Sequence, residues 1–353
     1  MAKLDKEFRA FYNDEVKFNG NKEIRDKKSK LKDDFKSSFP TIFKESFDED
    51  FKVENIRFID QGSYAIGTAI NHGTKAYDID VATILDIDIT KYPNPIDVKK
   101  VARDALINTN RQPIIKGPCI TVKYTKQGEE KYHIDFPIYA NYNGSLYLAR
   151  GHEFSNEENR QWEPADPEGL NKYFKIENLQ IEGLDLSDEE KQQRNQKRRL
   201  IRYLKWWKSE EYSQPQSDNE VPPSISLTIL VCLYFETAKV EGKYNDLAAL
   251  HKTVSNIVTE IFYDEYNQDG KIVKRIKECN LPTNPYADTL TKLRNSDNHV
   301  SKFYNKMENL RKRLESAVNE SNERKAAETI CKILGDKFPL PEEDKVNEED
   351  SFA

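Results

Sequence analysis

Two short apolar segments in the first quarter of the chain have the character of β-strands. The first covers residues 53–59 and leads into Gly62-Ser63, and the second covers residues 81–85 and directly follows Asp78 and Asp80. Successive side chains of a strand point to opposite faces. The pattern therefore predicts that both aspartates lie on one face of a strand, while the residue between them points into the core.

A third candidate strand at residues 132–139 carries one carboxylate, Asp135, with Ile134 and Phe136 on the opposite face. A lone carboxylate in an apolar strand is unusual, because a buried charge needs a partner. Periodicity and turn residues predict the surrounding elements, which are a helix at 96–108, a strand at 120–124, a turn at Gln127-Gly128 and a strand at 145–149.

Helical periodicity dominates both ends of the chain. An N-terminal helical segment is expected to end at Phe39-Pro40, and from Ser187, a candidate helix cap, helices are predicted at 192–209, 225–234, 247–263 and 301–318. This order of elements predicts an α+β fold in which a mixed sheet carries helices on one side. The expected segments are 1–40, a helical segment packing on the body; 41–190, the catalytic core; 191–338, a helical domain; and 339–353, a disordered acidic tail.

Composition narrows the class of protein. The 353 residues are 37% hydrophobic and 33% charged, and no run of 18 apolar residues occurs, so we expect a cytoplasmic protein without a membrane span. The four cysteines and five histidines show no zinc-type clustering, which favours reduced thiols. Six acidic residues and one basic residue lie between Glu342 and Ala353, so most of the net charge of −6 belongs to the tail and a nucleic-acid partner is not required.

Two features allow two interpretations each. The first helical segment has a basic face, which is either a solvated surface or a nucleic-acid contact; its residues are Lys22, Arg25, Lys27, Lys28, Lys30 and Lys32. Trp162, in the loop-rich region at 150–190, either borders a nucleotide base or packs on the core.

The strand pattern brings together two kinds of chemistry. Gly62 lets the backbone approach a phosphate, which free N–H groups and the Ser63 hydroxyl can hold. Asp78 and Asp80 repel each other unless a cation lies between them, and hard oxygen ligands suit Mg²⁺ or Mn²⁺. A Gly-Ser pair alone, or an Asp-x-Asp at a solvated strand end, would mean little, but with Asp135 they favour a phosphoryl-transfer site.

This arrangement resembles the nucleotidyltransferase superfamily, with its Gly-Ser, Asp-x-Asp and later third Asp. The second half is similar to the bacterial CD-NTases, the cGAS/DncV-like enzymes of CBASS antiphage systems. That likeness rests on the helix RRLIRYLKWW at 198–207, the Pro-Ser that opens the next helix, and the LGDKFP ending at 334–339. The resemblance implies a bilobed, polymerase β-like mixed-sheet core packed against a C-terminal helical domain.

The resemblance also implies residue roles. Gly62 and Ser63 would hold the donor triphosphate, and Lys205 and Ser224 would reach its outer phosphates. Two metal ions, Mg²⁺ or Mn²⁺, would be held by the catalytic residues Asp78, Asp80 and Asp135. The zinc-binding insertion of the animal DNA sensor is not matched, which argues against activation by DNA in that manner.

The implied function is synthesis of a cyclic oligonucleotide, most simply a cyclic dinucleotide, from ATP, GTP or pyrimidine NTPs in antiphage defence. The expected partner is a downstream effector activated by the cyclic nucleotide. Residues 347–353 allow two roles, as a target for a CBASS accessory enzyme that conjugates the C-terminus or as an acidic solubilising tail, and the solubilising role is slightly favoured. Two alternatives share these residues: a nucleotidyltransferase that modifies a protein, RNA or small molecule, and a catalytically silent nucleotide sensor.

Overall fold

The computed structural model describes residues 3–18, 22–72, 77–126, 129–179, 186–214, 216–217 and 219–342. The chain forms two compact units. The sheet unit comprises Phe18–Leu184 and Asn280–Ala287, and the helical unit comprises Met1–Lys17, Asp185–Cys279 and Asp288–Ala353. The predicted boundaries at residues 40, 190 and 338 stay predictions, and residues 343–353 of the predicted acidic tail lie outside the described residues.

The α-helices, in chain order, are α1 (Asp5–Phe11), α2 (Lys22–Phe47), α3 (Gly62–Ala65), α4 (Pro95–Asp104), α5 (Pro167–Lys172), α6 (Asp188–Glu211), α7 (Ser224–Tyr234), α8 (Asp246–Ile261), α9 (Thr291–Arg294), α10 (Asp297–Asn319) and α11 (Glu323–Leu334). Short π-helical segments follow α1 at Tyr12–Val16 and α5 at Tyr173–Leu179. Among these described helices, none is both long and apolar enough to cross a membrane.

The strands are β1 (Ile56–Gln61), β2 (Tyr77–Asp86), β3 (Ile114–Ile115), β4 (Ile120–Lys126), β5 (Glu129–Phe136), β6 (Ile138–Tyr142), β7 (Ser145–Ala149), β8 (Trp162–Ala165), β9 (Lys239–Val240), β10 (Lys243–Tyr244), β11 (Phe262–Tyr266) and β12 (Ile272–Ile276). Strands β1 to β8 form one mixed sheet, and β9–β10 and β11–β12 form two separate antiparallel pairs.

Strand β2 is the centre of the mixed sheet. It pairs antiparallel with β1 and parallel with both β5 and β6, so that Asp80 lies opposite Asp135 and Thr83 lies opposite Ile138. The N–H of Thr83 donates to the carbonyl of Pro137 at 2.9 Å. This hydrogen bond lies between the β2–β5 and β2–β6 pairings, so β2 keeps the same register with both strands on either side of Pro137. Strands β4 and β7 extend the sheet by antiparallel pairing with β5 and β6, which confirms the predicted β4–β5 hairpin.

The back face of this sheet is the main hydrophobic core of the unit, and α2 and α4 cover it. The strand residues in this cluster include Ile79, Val81, Ile134, Phe136 and Ile138, and the helix residues include Phe35, Phe39, Phe43, Val98 and Val101. The alternation predicted for the strands is therefore confirmed. The opposite face has a smaller apolar cluster of Ala82, Ile84 and Tyr139 and also carries the predicted site residues.

The predicted end of the first long helix at Phe39-Pro40 is wrong. Helix α2 continues through Pro40 to Phe47. Proline removes one backbone donor and costs roughly 3 kcal/mol inside a helix. Phe39 and Phe43 are both almost fully buried, and burial of each such ring contributes about 1.5–3 kcal/mol. Their positions at i and i+4 place both on the core side only if the helix continues, which outweighs the lost hydrogen bond.

The basic face of α2 is partly ion-paired. Lys28 Nζ lies 2.5 Å from Asp60 Oδ2 and Lys32 Nζ lies 3.1 Å from Asp60 Oδ1, so two of the predicted basic residues join the helix to β1. Burial of the Asp60 carboxyl opposes its ionisation, but the two ammonium groups outweigh that effect, and the pKa of Asp60 is below its ordinary value.

A buried lysine ties two loops of the sheet unit to α4. The Lys99 ammonium is fully buried and donates to the carbonyls of Lys116, Gly117 and Gly151 at 2.6, 3.0 and 2.9 Å. Burial lowers the pKa of Lys99 to about 8, so the group is still mainly protonated at pH 7. Its three donors match three carbonyls, which accounts for a charge in this position.

The helical unit begins α6 with a capping box, in which the Ser187 hydroxyl accepts from the N–H of Glu190 and the Glu190 carboxylate accepts from the N–H of Ser187. The predicted cap is thus confirmed. The predicted helix at 247–263 is too long: α8 ends at Ile261, and the chain enters the β11–β12 hairpin. This hairpin, and the shorter β9–β10 pair, were not predicted.

Candidate active site

Four polar side chains occupy a compact patch on the front face of the sheet. Asp78 and Asp80 are two residues apart on β2, and His133 and Asp135 are two residues apart on β5. The parallel register sets Asp78 opposite His133 and Asp80 opposite Asp135. Since alternate residues of a strand, and opposed residues of a parallel pair, share one face, the four side chains form the corners of a quadrilateral.

Three of the four corners come together closely. His133 Nε2 lies 3.3 Å from Asp78 Oδ1 and 4.0 Å from Asp135 Oδ2. One ligand atom from each of these residues lies within 4.8 Å of the other two. Asp135 is buried and accepts a 2.6 Å hydrogen bond from the hydroxyl of Thr121, its neighbour on β4. The cluster thus has one buried, oriented carboxylate and one exposed carboxylate, Asp78.

The fourth corner, Asp80, packs against the Gly-Ser turn. Strand β1 ends at Gln61, and the chain turns at Gly62, whose φ is +71°. A β-carbon on Gly62 would lie only 1.9 Å from Asp80 Oδ2. Glycine is therefore required twice, for the left-handed backbone conformation and for the space that the Asp80 carboxylate occupies. The carbonyl of Ser63 accepts from the N–H of Thr68 at 2.8 Å, which closes the turn.

A cavity of about 350 Å³ adjoins this corner within the sheet unit. Asp80 and Gly62 line it, and the segment at 281–287 contributes to its lining as well. Tyr139 lines it as well: its hydroxyl donates to Gln61 Oε1 at 3.1 Å, and burial raises the pKa of Tyr139 far above its ordinary value. The cavity is within the size range of small-molecule sites, which is about 300–1,000 Å³.

Lys205 and Ser224 belong to the helical unit. Lys205 lies on α6 and is 6% exposed, and it lies near enough to Cys232 for its charge to act on the pKa of that thiol. Ser224 is the first residue of α7, and its hydroxyl accepts from the ammonium of Lys208 at 2.8 Å. The structure thus pairs Ser224 with Lys208 and not with the predicted phosphate ligand Lys205.

Two residues change the predicted picture of the site. Trp162 packs against the main core, and its indole N–H donates to the carbonyl of Tyr92 at 2.8 Å, which favours the core interpretation. His133 was missed, although the strand alternation that places Asp135 on the front face also places His133 there. Lys208 had no comparable signal, because its pairing with the next helix is a tertiary contact.

Comparison with known proteins identifies the catalytic domain. Residues 56–139 match the family model described as cyclic GMP-AMP synthase DncV-like, nucleotidyltransferase domain. This segment includes the Gly-Ser turn, the Asp-x-Asp pair and Asp135.

Solved structures match along nearly the whole chain. The cyclic AMP-GMP synthase DncV of Vibrio cholerae is 14% identical with a TM-score of 0.67, and the match covers 96% of this chain and 97% of that one. DncV of Escherichia coli with bound 3′-deoxy GTP is 17% identical with a TM-score of 0.63, covering 94% and 97%. V. cholerae DncV with the linear intermediate 5′ pppA(3′,5′)pG is 16% identical with a TM-score of 0.61, covering 97% and 100%.

At these identities the structural matches establish the fold, and the predicted α+β nucleotidyltransferase architecture is confirmed. The family model adds the catalytic domain. The chain is therefore a nucleotidyltransferase in which residues 56–139 match a DncV-like catalytic domain, and its fold is that of the DncV structures.

Proposed function

We propose that this nucleotidyltransferase joins two nucleoside triphosphates into a cyclic dinucleotide and releases pyrophosphate. The observation that carries the proposal is the cluster of Asp78, His133 and Asp135 beside the Gly62 turn, inside a domain that matches the DncV-like family. Solved structures of V. cholerae DncV contain nonhydrolysable GTP, ATP together with GTP, or a linear dinucleotide intermediate. ATP, GTP and pyrimidine NTPs are accordingly the substrates to test.

The donor set of the cluster fits divalent cations. Together with Asp80, the aspartates of the cluster supply hard oxygen ligands, and one of them, Asp135, is buried, where a carboxylate needs a compensating positive charge. We propose that Asp78, Asp80 and Asp135 hold two Mg²⁺ or Mn²⁺ ions. When bound, such ions neutralise the charge that develops on the attacking and leaving oxygens of an in-line phosphoryl transfer.

The chain's own residues position the reactants. Gly62 and Ser63 would receive the donor triphosphate, because the left-handed turn at Gly62 lets the backbone approach phosphate oxygens closely. Thr121 fixes one oxygen of Asp135 by its 2.6 Å hydrogen bond, so the other oxygen is left to face the cluster. Gly62 fixes Asp80 by the close packing described above. Positioning of this kind accounts for much of the rate in phosphoryl transfer.

Lys205 and Ser224 are proposed to bind the outer phosphates of the donor. A lysine ammonium is a compact positive charge on a flexible stem, which suits a phosphate oxygen. The hydrogen bond from Lys208 to Ser224 would orient the serine hydroxyl for the same task.

The test is a product analysis with purified protein, Mg²⁺ or Mn²⁺, and all four NTPs, each α-labelled in turn. A labelled product whose mass and charge are unchanged by phosphatase, and which nuclease cleaves, has no terminal phosphate and is a cyclic oligonucleotide. Label in protein, RNA or a small molecule after lysate is added would instead favour the alternative transferase. Absence of any labelled product in both assays would favour a silent sensor.

A matched pair of variants tests the site. Asp135→Asn is expected to abolish product formation while the protein remains folded, whereas Asp86→Asn, at the exposed end of the same sheet, should keep it. Asp86 accepts a hydrogen bond from Asn141 at 2.7 Å and lies beyond the cluster. Wild-type turnover by a folded Asp135→Asn protein would overturn the assignment.

We further propose that the product acts in the cytoplasm as an antiphage second messenger for a dedicated effector, and that an accessory enzyme conjugates the C-terminus. Phage challenge of cells that carry the gene with its neighbours, compared with the Asp135→Asn variant, tests the first point. Intact-mass analysis after co-expression tests the second, since an unmodified Ala353 carboxylate under every condition would exclude conjugation.

A further inference from the structure

We propose that His133 is a direct ligand of the metal site, so that this enzyme has a mixed imidazole and carboxylate centre that binds Mn²⁺ more tightly than Mg²⁺. The inference rests on the divalent-ion requirement in the proposed function and adds a ligand to it. It concerns a residue that the three-aspartate pattern does not include.

The fold places the imidazole where a ligand belongs. His133 lies opposite Asp78 in the parallel register and two residues before Asp135 on β5, so it fills the one corner of the quadrilateral that has no carboxylate. Both neighbours are on the same face as the imidazole. Because β2 and β5 are central strands whose other face packs in the main core, this position is fixed by the sheet and not by a loop.

The distances suit a shared ion. Ligand atoms held about 2.1 Å from one cation are separated by about 3 Å when adjacent and by about 4.2 Å when opposite. Nε2 of His133 is 3.3 Å from Asp78 Oδ1 and 4.0 Å from Asp135 Oδ2. An ion can therefore contact one atom of each residue after small side-chain rotations.

An imidazole ligand changes the choice of metal. Mg²⁺ is bound through oxygen and keeps much of its water, whereas imidazole nitrogen is a ligand of first-row transition metals, a series in which Mn²⁺ has the lowest affinity. At a site made only of carboxylates the two kinds of ion compete on similar terms. With a nitrogen ligand added, Mn²⁺ gains a bond that Mg²⁺ uses poorly.

The decisive experiment is electron spin-echo envelope modulation of Mn²⁺ bound to the purified full-length protein, with Mn²⁺ alone as the probe. A buffer at about pH 8 keeps an ordinary histidine neutral. The wild-type protein should show modulation from a coordinated ¹⁴N nucleus. That signal should be lost in His133→Gln, which keeps a polar side chain, and kept in His152→Gln, an exposed histidine of the same unit that serves as the matched control.

Affinity gives a second measurement. His133→Gln should weaken Mn²⁺ binding by about tenfold or more, since even residues that only support a ligand contribute 10- to 100-fold. The Mg²⁺ affinity of the same variant, measured by displacement of Mn²⁺, should change much less. The ratio of Mn²⁺ affinity to Mg²⁺ affinity should therefore be smaller in His133→Gln than in the wild-type protein.

Two results would overturn the inference, and they differ in meaning. Mn²⁺ bound in a manner that Asp135→Asn abolishes, but without nitrogen modulation in the wild-type protein, would reduce His133 to a hydrogen-bond donor that orients Asp78. Mn²⁺ binding that Asp135→Asn leaves unchanged would remove the metal site itself and with it the metal part of the proposed function. The wild-type spectrum is decisive even if a variant fails to fold.

Discussion

Replacement of Gly62 by alanine should disable the site through a single methyl group. The new β-carbon would lie 1.9 Å from Asp80 Oδ2, whereas β-carbons in proteins essentially never approach another heavy atom closer than 3.0 Å. The Asp80 carboxylate would therefore have to retreat by about 1 Å. A misplacement of about 1 Å at a reacting centre costs about 100-fold in rate. We expect kcat/KM to fall by at least about that factor.

The same substitution has a second cost that must be separated from the first. Gly62 has a φ of +71°, and an L-residue in the left-handed region costs roughly 1–2 kcal/mol. Gly144, in the turn between β6 and β7, supplies a matched control. Its φ is +75°, and among the described residues no atom beyond its chain neighbours lies within 4 Å of its added β-carbon. Gly144→Ala should thus have the backbone cost without the clash.

The assay compares both variants by urea unfolding and by NTP turnover at saturating metal. Similar losses of unfolding free energy, with turnover lost only in Gly62→Ala, would support the role of Asp80. Equal turnover in the two folded variants would refute the reasoning, because the position of the Asp80 carboxylate would then have no effect on the reaction.

Three further results are expected. Lys99→Met should lower the free energy of unfolding by about 3 kcal/mol or more, because three carbonyls lose their buried donor. The control, Lys100→Met, should change it by about 0.5 kcal/mol. Equal losses of unfolding free energy in urea would contradict this expectation. The depressed pKa of Asp60 means that its ionised form contributes stability above about pH 4, and that this contribution is lost as the pH falls through the lower folded pKa. In Asp60→Asn the free energy of unfolding should therefore fall less steeply as the pH is lowered below about 4. The same pH dependence as in the wild-type protein would refute a stabilising role of the Asp60 ion pairs. Lys205→Met should raise the KM for NTP by about 10-fold or more. Lys208→Met should raise it by less, because Lys208 acts through the Ser224 hydroxyl. A larger rise in Lys208→Met than in Lys205→Met would assign the phosphate contact to Lys208.

The strand pattern predicted the most about the site, because alternation is a local property that the sheet preserves. Asp78, Asp80 and Asp135 lie on one face, with Ile79 and Ile134 in the core behind them. What the pattern could not supply was the parallel register between β2 and β5, which depends on pairing across a long stretch of sequence. That register is what brings His133 opposite Asp78.

The errors have equally physical causes. A proline was expected to end α2, but the aromatic stripe on either side of Pro40 stabilises the helix by more than the lost hydrogen bond costs. The hairpin after α8 was missed because its strands, Phe262–Tyr266 and Ile272–Ile276, carry charged residues on both faces and therefore lack the amphipathic alternation of a half-buried strand. The hydrogen bond between Lys208 and Ser224 joins two helices, and no local pattern encodes such a contact.

The core and the site of the sheet unit are specified by the same strands at alternate positions. Ile79 and Val81 interleave with Asp78 and Asp80 on β2, and the hydrogen bond from Thr83 to Pro137 extends the register through β5 into β6. A slip of one residue would turn the aspartates into the core and expose the apolar residues to water. The burial energy of the back face therefore also holds the carboxylates in place on the front. For this reason a site whose carboxylates repel one another can lie on a preformed surface, where the Gly62 turn and the Thr121 hydroxyl orient its oxygens.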